Sequence, residues 1–417
     1  MGAGIKQKSV WLVGGLVFIV LWIVGCRGTD MQGRQLVYGS NRIGTGFQCV
    51  EEQIVVGLNT ALEDKKQEKE NRITELLHQM TLQQKVCQMF ITEPESVFET
   101  DMLTVSDQAI TERLQAYPIG GLIWFPYHLV DADQTISLLD RIQSAAAQIE
   151  GIPLLMCIDE EGGRVAKISN HEGFDVQKVG PMADITEETQ AYEAGATIGS
   201  YLESLGFNVD FAPDADVLTN PNNQVIGDRS FGMDPWQVTA LAIAYSDGLH
   251  SYHVMSTFKH FPGHGATEGD THEGFAYTSK CYEELKEAEL IPFAEAEAAG
   301  VDMIMVSHIS VPNITGDDIP CTLSHRMVTE MLRGNLGYEG IVVSDAMNMG
   351  AVTQMYSSGE AAVMAVQAGI DLILMPENFK VAVDAVVEAV RIGEIKEEQI
   401  DASVHRIIEK KLGIQGR

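Results

Sequence analysis

The sequence predicts an α/β chain folded as a (β/α)8 TIM barrel, a single catalytic domain, on three observations. Eight short apolar runs recur along it: VCQMFIT (86–92), IGGLIWF (119–125), IPLLMCID (152–159), FNVDFAP (207–213), VMSTFKHF (254–261), VDMIMVSHI (301–309), GIVVSD (340–345) and DLILMP (371–376). Near-continuous apolar runs suit strands buried on both faces of a parallel sheet. Between most of them lie helix-period stretches, such as DADQTISLLDRIQSAAAQI and DPWQVTALAIAYSDGLHSY, which suit crossover helices. The competing arrangement, an open doubly wound sheet, wants a glycine-rich phosphate turn after its first strand. Neither a dinucleotide fingerprint nor a Walker loop is present. Eight strand–helix units over about 345 residues therefore favour the barrel.

The segments before the barrel read differently. MGAGIKQK carries two lysines and no acid, and SVWLVGGLVFIVLWIVG is then apolar for about seventeen residues up to Cys26. A basic stretch followed by an apolar one is the pattern of a secretory signal. Residues 1–26 thus predict a lipoprotein-type signal peptide, with Cys26 as the lipidation site. The alternative is an uncleaved transmembrane anchor, since the run is only slightly short of a full span. Both place the remainder outside the cytoplasm, attached to a membrane. Residues 27–71 are polar, glycine-rich and then charged, and predict a spacer. Residues 72–417 hold the barrel. Of six cysteines, Cys87 and Cys157 lie in apolar runs and predict buried thiols; no disulfide framework is expected.

The formal charge is −31, so a polyanion is repelled and nucleic acid is excluded as a partner. Function has to come from residues at the carboxyl ends of the strands, where barrels place their sites. Polar residues gather there: Asp159 after the third run, Asp214 and Asp216 after the fourth, Lys259 and His260 on the fifth, His308 on the sixth and Asp345 after the seventh. Asp345, directly behind an apolar strand, is placed to attack or to stabilise a cation. The alternative role is a cap for the next helix.

The stretch KHFPGHGATEGDTH (259–272) concentrates the remaining chemistry. Asp270 and His272, two residues apart on a glycine-rich loop, are able to pair, the carboxylate fixing the imidazole tautomer for proton transfer. A loop tied by its own hydrogen bonds is the other reading. A metal site from His260, His264, Asp270 and His272 is a third, and it lacks the usual zinc-ligand spacings. No metal or other cofactor is expected.

Five segments carry a resemblance. LLHQMTLQQKVCQMF (76–90), IDEEGGRV (158–165), IGDRSFG (226–232), KHFPGHGATEGDTH (259–272) and SDAMNMGA (344–351) occur in family order with family spacings. On these the sequence resembles glycoside hydrolase family 3, and within it the β-N-acetylglucosaminidases (β-N-acetylhexosaminidases). The resemblance implies that Asp345 is the nucleophile of a covalent glycosyl-enzyme. It implies that His272 is the general acid/base with Asp270 as its partner. Asp159, Arg229, Lys259 and His260 match residues that hold the sugar. Lys167 stands where many relatives have arginine for the same sugar contact, and offers one point in place of a fork. His264 is expected to shape the loop, Arg164 and Asp216 to brace strand ends, and the loop glycines to act as a hinge.

A retaining glycosidase usually uses two carboxylates about 5–5.5 Å apart. Here a histidine, with an ordinary pKa of about 6.5, replaces one of them and suits proton transfer near neutrality. The expected activity is removal of terminal β-linked GlcNAc from wall-derived oligosaccharides or muropeptides. Alternatives are a β-glucosidase or β-xylosidase of the same family, and phosphorolysis with phosphate as acceptor. Outside the class stand a barrel metallohydrolase and a non-catalytic sugar-binding lipoprotein. The resemblance is to the barrel domain alone, so the site is expected to be complete within it.

Overall fold

The computed structural model describes residues 63–415, apart from Glu268, His272 and Glu273. The signal-peptide reading, Cys26 and most of the spacer lie outside the described residues. Contacts divide the chain at Asn71/Arg72; before that boundary the described residues, 63–71, are helical. Among the described residues no helix is long and apolar enough to cross a membrane.

From residue 72 the fold is α/β, with parallel sheets. The strands are β1 (Phe90–Thr92), β2 (Gly121–Ile123), β3 (Leu155–Ile158), β4 (Glu160–Gly162), β5 (Val165–Ala166), β6 (Val209–Asp210), β7 (Thr257–Phe261), β8 (Met303–Val306), β9 (Ile341–Ser344) and β10 (Ile373–Leu374). One sheet runs β10-β1-β2-β3-β6 and a second β7-β8-β9, with every pairing within them parallel. Parallel bridges Val209–Met255 and Val343–Leu372 span from β6 and β9 toward the neighbouring strands. Eight of the strands fall inside the eight apolar runs. The other two, β4 and β5, form an antiparallel hairpin directly behind β3. Its EEG sequence is polar and gave no strand signal.

The strands are apolar because both faces are covered. Every residue of β1, β2, β3, β7, β8 and β9 is buried. Phe90, Phe258 and Phe261 are among the largest fully buried side chains, each stabilising by about 1.5–3 kcal/mol through burial. Cys87 and Cys157 are buried free thiols, as expected, and burial pushes Cys87 up to about 12.

Helices carry the chain back between strands. Asp131 caps Ala132–Glu150 by accepting from the Gln134 N–H, and Gly151 ends it in the left-handed region at φ 72°. Asp234 accepts from Trp236 and Gln237 at the start of Pro235–His250. These short polar caps satisfy N–H groups that the helix cannot.

A buried polar chain ties the last helix, Glu397–Gln415, to the amino ends of the strands. Lys411 Nζ donates to Gln88 Oε1 (2.7 Å), and Gln88 Nε2 donates to Glu150 Oε2 (2.6 Å) and to the Pro118 carbonyl (2.7 Å). Burial lowers Lys411 to about 8 and raises Glu150 to about 7.

Candidate active site

A cavity of about 350 Å³ opens at the carboxyl ends of the strands. Ile123, Asp159, Lys259, Met305, Asp345 and Leu374 reach it from β2, β3, β7, β8, β9 and β10, or from the residue just after. Lys167, Arg229, His260 and His264 also line it. The structure thus brings together every sugar-binding residue expected from sequence, along with Asp345.

Two acids on the third strand's extension divide the work. Asp159 faces the cavity, while Glu160 points away into the protein. There Glu160 accepts from the Ile168 and Ser169 N–H groups (2.7 and 2.9 Å) and from Tyr201 Oη (2.8 Å). The β4–β5 hairpin then delivers Lys167 to the rim. Glu161, two residues beyond Asp159, returns to the cavity side by strand alternation. It is buried and was not anticipated. The signal existed: an acid at i+2 of Asp159 shares its face.

Glu161 is the hub of the floor. It accepts from Arg229 through Nε (2.8 Å) and Nη2 (2.7 Å), a bidentate fork, and from Lys259 Nζ (2.7 Å). Lys259 also reaches Asp159 at 3.0 Å. Burial alone raises a carboxyl, but here the two cations prevail and hold Glu161 below the usual carboxylate range. Against burial, Lys259 is held above its ordinary value by Glu161 and Asp159, and Arg229 by Glu161 and Asp214.

Beneath this lies a second layer. His260 Nδ1 contacts Asp216 Oδ2 at 2.7 Å, and its Nε2 lies 3.4 Å from Arg229 Nη2. With the proton on Nδ1, Nε2 is an acceptor. Burial, aided by the Arg229 charge, pulls His260 down to about 4, so it is neutral. Asp216 also takes the N–H groups of His260 and His264, which is the bracing role expected of it. Asp214, fully buried, is pushed up to about 7 by burial and by Asp216. Asp214, Asp216 and His260 are close enough to offer a cation one ligand each. The Arg229 guanidinium, 3.4 Å from Asp214 Oδ2, already supplies positive charge there.

Asp345 follows β9. Its N–H donates to the Val306 carbonyl (2.9 Å) and its Oδ1 accepts from the Ala346 N–H (2.8 Å). It is not a helix cap, because the next helix, Gly350–Thr353, is preceded by Met349. His308 stands behind it, with Nδ1 on Thr322 Oγ1 (2.8 Å) and Nε2 on the Ala346 carbonyl (3.0 Å). His308 is thus a support for the Asp345 turn.

His272 lies outside the described residues, and so does its pairing with Asp270. Asp270 itself is half-buried, and its carbonyl accepts from the Gly274 N–H. Thr271 is buried in the cavity wall, its Oγ1 3.4 Å from His264 Nε2 and its carbonyl accepting from Ala351 (3.2 Å). His264 and Thr267 tie this loop internally, as expected for a loop-shaping residue. The hinge expectation needs correcting at Gly263 and Gly265. A Cβ on Gly265 would stand 2.2 Å from the Val217 carbonyl oxygen, and one on Gly263 2.5 Å from Glu289 Cβ. These glycines permit close packing. Arg164 braces a loop, donating to the carbonyls of Gln224, Val225 and Ile226.

The glycosyl hydrolase family 3 N-terminal domain matches residues 81–410, which takes in every element described around the cavity. The chain belongs to glycosyl hydrolase family 3. Among family 3 relatives it is 34% identical over 333 residues to Beta-hexosaminidase A of Pseudoalteromonas piscicida, covering 74% of this chain and 56% of that protein. It is 34% identical over 304 residues to Beta-hexosaminidase LpqI of Mycobacterium tuberculosis, covering 71% and 76%. A glycoside hydrolase family 3 beta-N-acetylglucosaminidase from Paenibacillus sp. str. FPU-7 superposes with a TM-score of 0.75 at 39% identity, over 81% of this chain and 63% of that one. The chain therefore spans little more than half the length of the Pseudoalteromonas protein.

Proposed function

We propose that this protein is a retaining exo-β-N-acetylglucosaminidase built on a (β/α)8 barrel. Its substrates are cell-wall-derived oligosaccharides or muropeptides, from which it removes terminal β-linked GlcNAc. The observation that carries the reading is the meeting of Asp345 with Asp159, Lys167, Arg229, Lys259 and His260 in one cavity, in a family 3 chain whose relatives are named for that activity. Asp345 attacks the anomeric carbon and becomes glycosylated. His272, oriented by Asp270, protonates the leaving oxygen and then deprotonates the acceptor. Lys259 and neutral His260 hold hydroxyl groups, one as donor and the other through an acceptor nitrogen. No metal or cofactor takes part. The enzyme acts outside the cytoplasm, lipidated at Cys26.

Asp345→Ala should lower turnover of an aryl β-GlcNAc by at least about a thousandfold while the circular dichroism spectrum is retained. Near wild-type turnover would remove Asp345 from the role. His272→Ala should lose more activity with poor leaving groups than with activated ones, since acid assistance matters less when the leaving group is already good. Equal losses count against it. An aryl-glycoside panel with and without phosphate separates the GlcNAc reading from glucosidase and xylosidase readings, and water from phosphate as acceptor. Mass analysis of the mature N-terminus tests lipidation.

A further inference from the structure

The cavity wall continues outward as an aromatic shelf. Phe125, just after β2, lines the cavity. Its ring stacks on Tyr127 with centroids 5.6 Å apart and planes at 1°. Lys167 Nζ lies 5.9 Å from the centre of the Phe125 ring, on the cavity side of the same row. Tyr127 is 62% exposed, so its ring gains little from the hydrophobic effect where it stands.

The shelf is nonetheless held still. Tyr127 Oη donates to Glu93 Oε2 (3.1 Å) at the end of the adjacent strand β1. His128, fully buried at its side chain, pins the turn: its Nδ1 accepts from the Phe125 N–H (3.0 Å), which leaves the proton on Nε2 for Glu95 Oε2 (2.8 Å). Its ring also meets Tyr127 edge-on at 4.3 Å. An exposed ring, locked in orientation and continuous with a cavity that takes one sugar, suits a second pyranose. The C–H face of a sugar packs on an aromatic face, and a fixed ring loses little entropy in doing so.

We infer that Tyr127, extended by Phe125, is the platform for the sugar ring on the leaving-group side of the scissile bond, and so selects oligosaccharides over substrates with small aglycones. This rests on the glycosidase reading above.

The test compares kcat/KM for GlcNAc-β-1,4-GlcNAc with that for β-GlcNAc azide, whose aglycone has no ring. Tyr127→Ala should lower the disaccharide-to-azide ratio about tenfold, mostly through KM, and Tyr127→Phe should restore it, because the ring and not the hydroxyl carries the contact. An unchanged ratio for Tyr127→Ala overturns the platform, as does failure of Tyr127→Phe to restore it. Turnover of the azide by the unsubstituted enzyme reads the glycosidase assignment separately. If neither substrate is cleaved, both proposals fall.

Discussion

At the scale of single residues, the pair His260 and Asp214 makes opposing demands on pH. His260 is pulled down to about 4, so between about pH 4 and 6.5 the unfolded chain binds a proton there that the folded one does not. Stability from His260 alone therefore rises with pH through that window. Asp214 is pushed up to about 7, so from about pH 4 to 7 the folded chain binds a proton that the unfolded one lacks. Its contribution falls as pH rises, opposing that of His260. Single substitutions should unmask them. Asp214→Asn should become more stable from pH 4.5 to 6.5 and His260→Gln less stable, each by about 2–3 kcal/mol relative to wild type in urea unfolding. Parallel profiles in both variants would remove the opposed pair. Much of this layer was legible in the sequence, because Lys259, His260 and Asp216 close successive strands. Glu161 is legible only through its i+2 spacing from Asp159, since Glu160 beside it is the same residue type. Only the alternation of the hairpin separates the structural acid from the one that holds Lys259 and Arg229.

At the scale of elements, the buried chain Lys411–Gln88–Glu150 predicts how the last helix is held. Removing one charge leaves the other buried without its partner, which costs about 3–5 kcal/mol. Lys411→Met should therefore destabilise by that order, and Lys411→Met with Glu150→Gln should cost clearly less than the sum of the singles in a double-mutant cycle. Activity of the folded fraction should not change, since this network lies at the amino ends of the strands. The loop after β7 gives a second test. Gly265→Ala forces a Cβ against the Val217 carbonyl, so a loss of about 1–3 kcal/mol in urea unfolding is expected. A neutral substitution would restore the hinge reading of that glycine. The strands were legible because apolar runs mark them. The β4–β5 hairpin was not, because its register is set by Glu160 accepting from residues 168 and 169, a contact at a distance. The packing of Gly263 and Gly265 was likewise invisible, since a glycine needed for closeness and one needed for freedom look alike in a sequence.

At the scale of the molecule, a formal charge of −31 means mutual repulsion across the folded surface. The melting temperature should rise by a few degrees as sodium chloride is taken from 10 to 150 mM, where the screening length falls to about 8 Å. A flat response would show the acids to be locally balanced. The site belongs to a different electrical regime. Glu161 meets Arg229 and Lys259 with two oxygens, out of reach of the solvent ions. Binding at this floor should thus be nearly indifferent to ionic strength, with KM for a neutral sugar constant over a range in which the melting temperature moves. The same pairing makes the floor a finished surface before any sugar arrives. A ligand there need not recruit counter-charges or order loose side chains, so calorimetry should find only a small entropic penalty from this part of the site. An engineer who neutralised Glu161 to loosen substrate choice would remove the one carboxylate the two cations share, leaving Lys259 to Asp159 and Arg229 to Asp214.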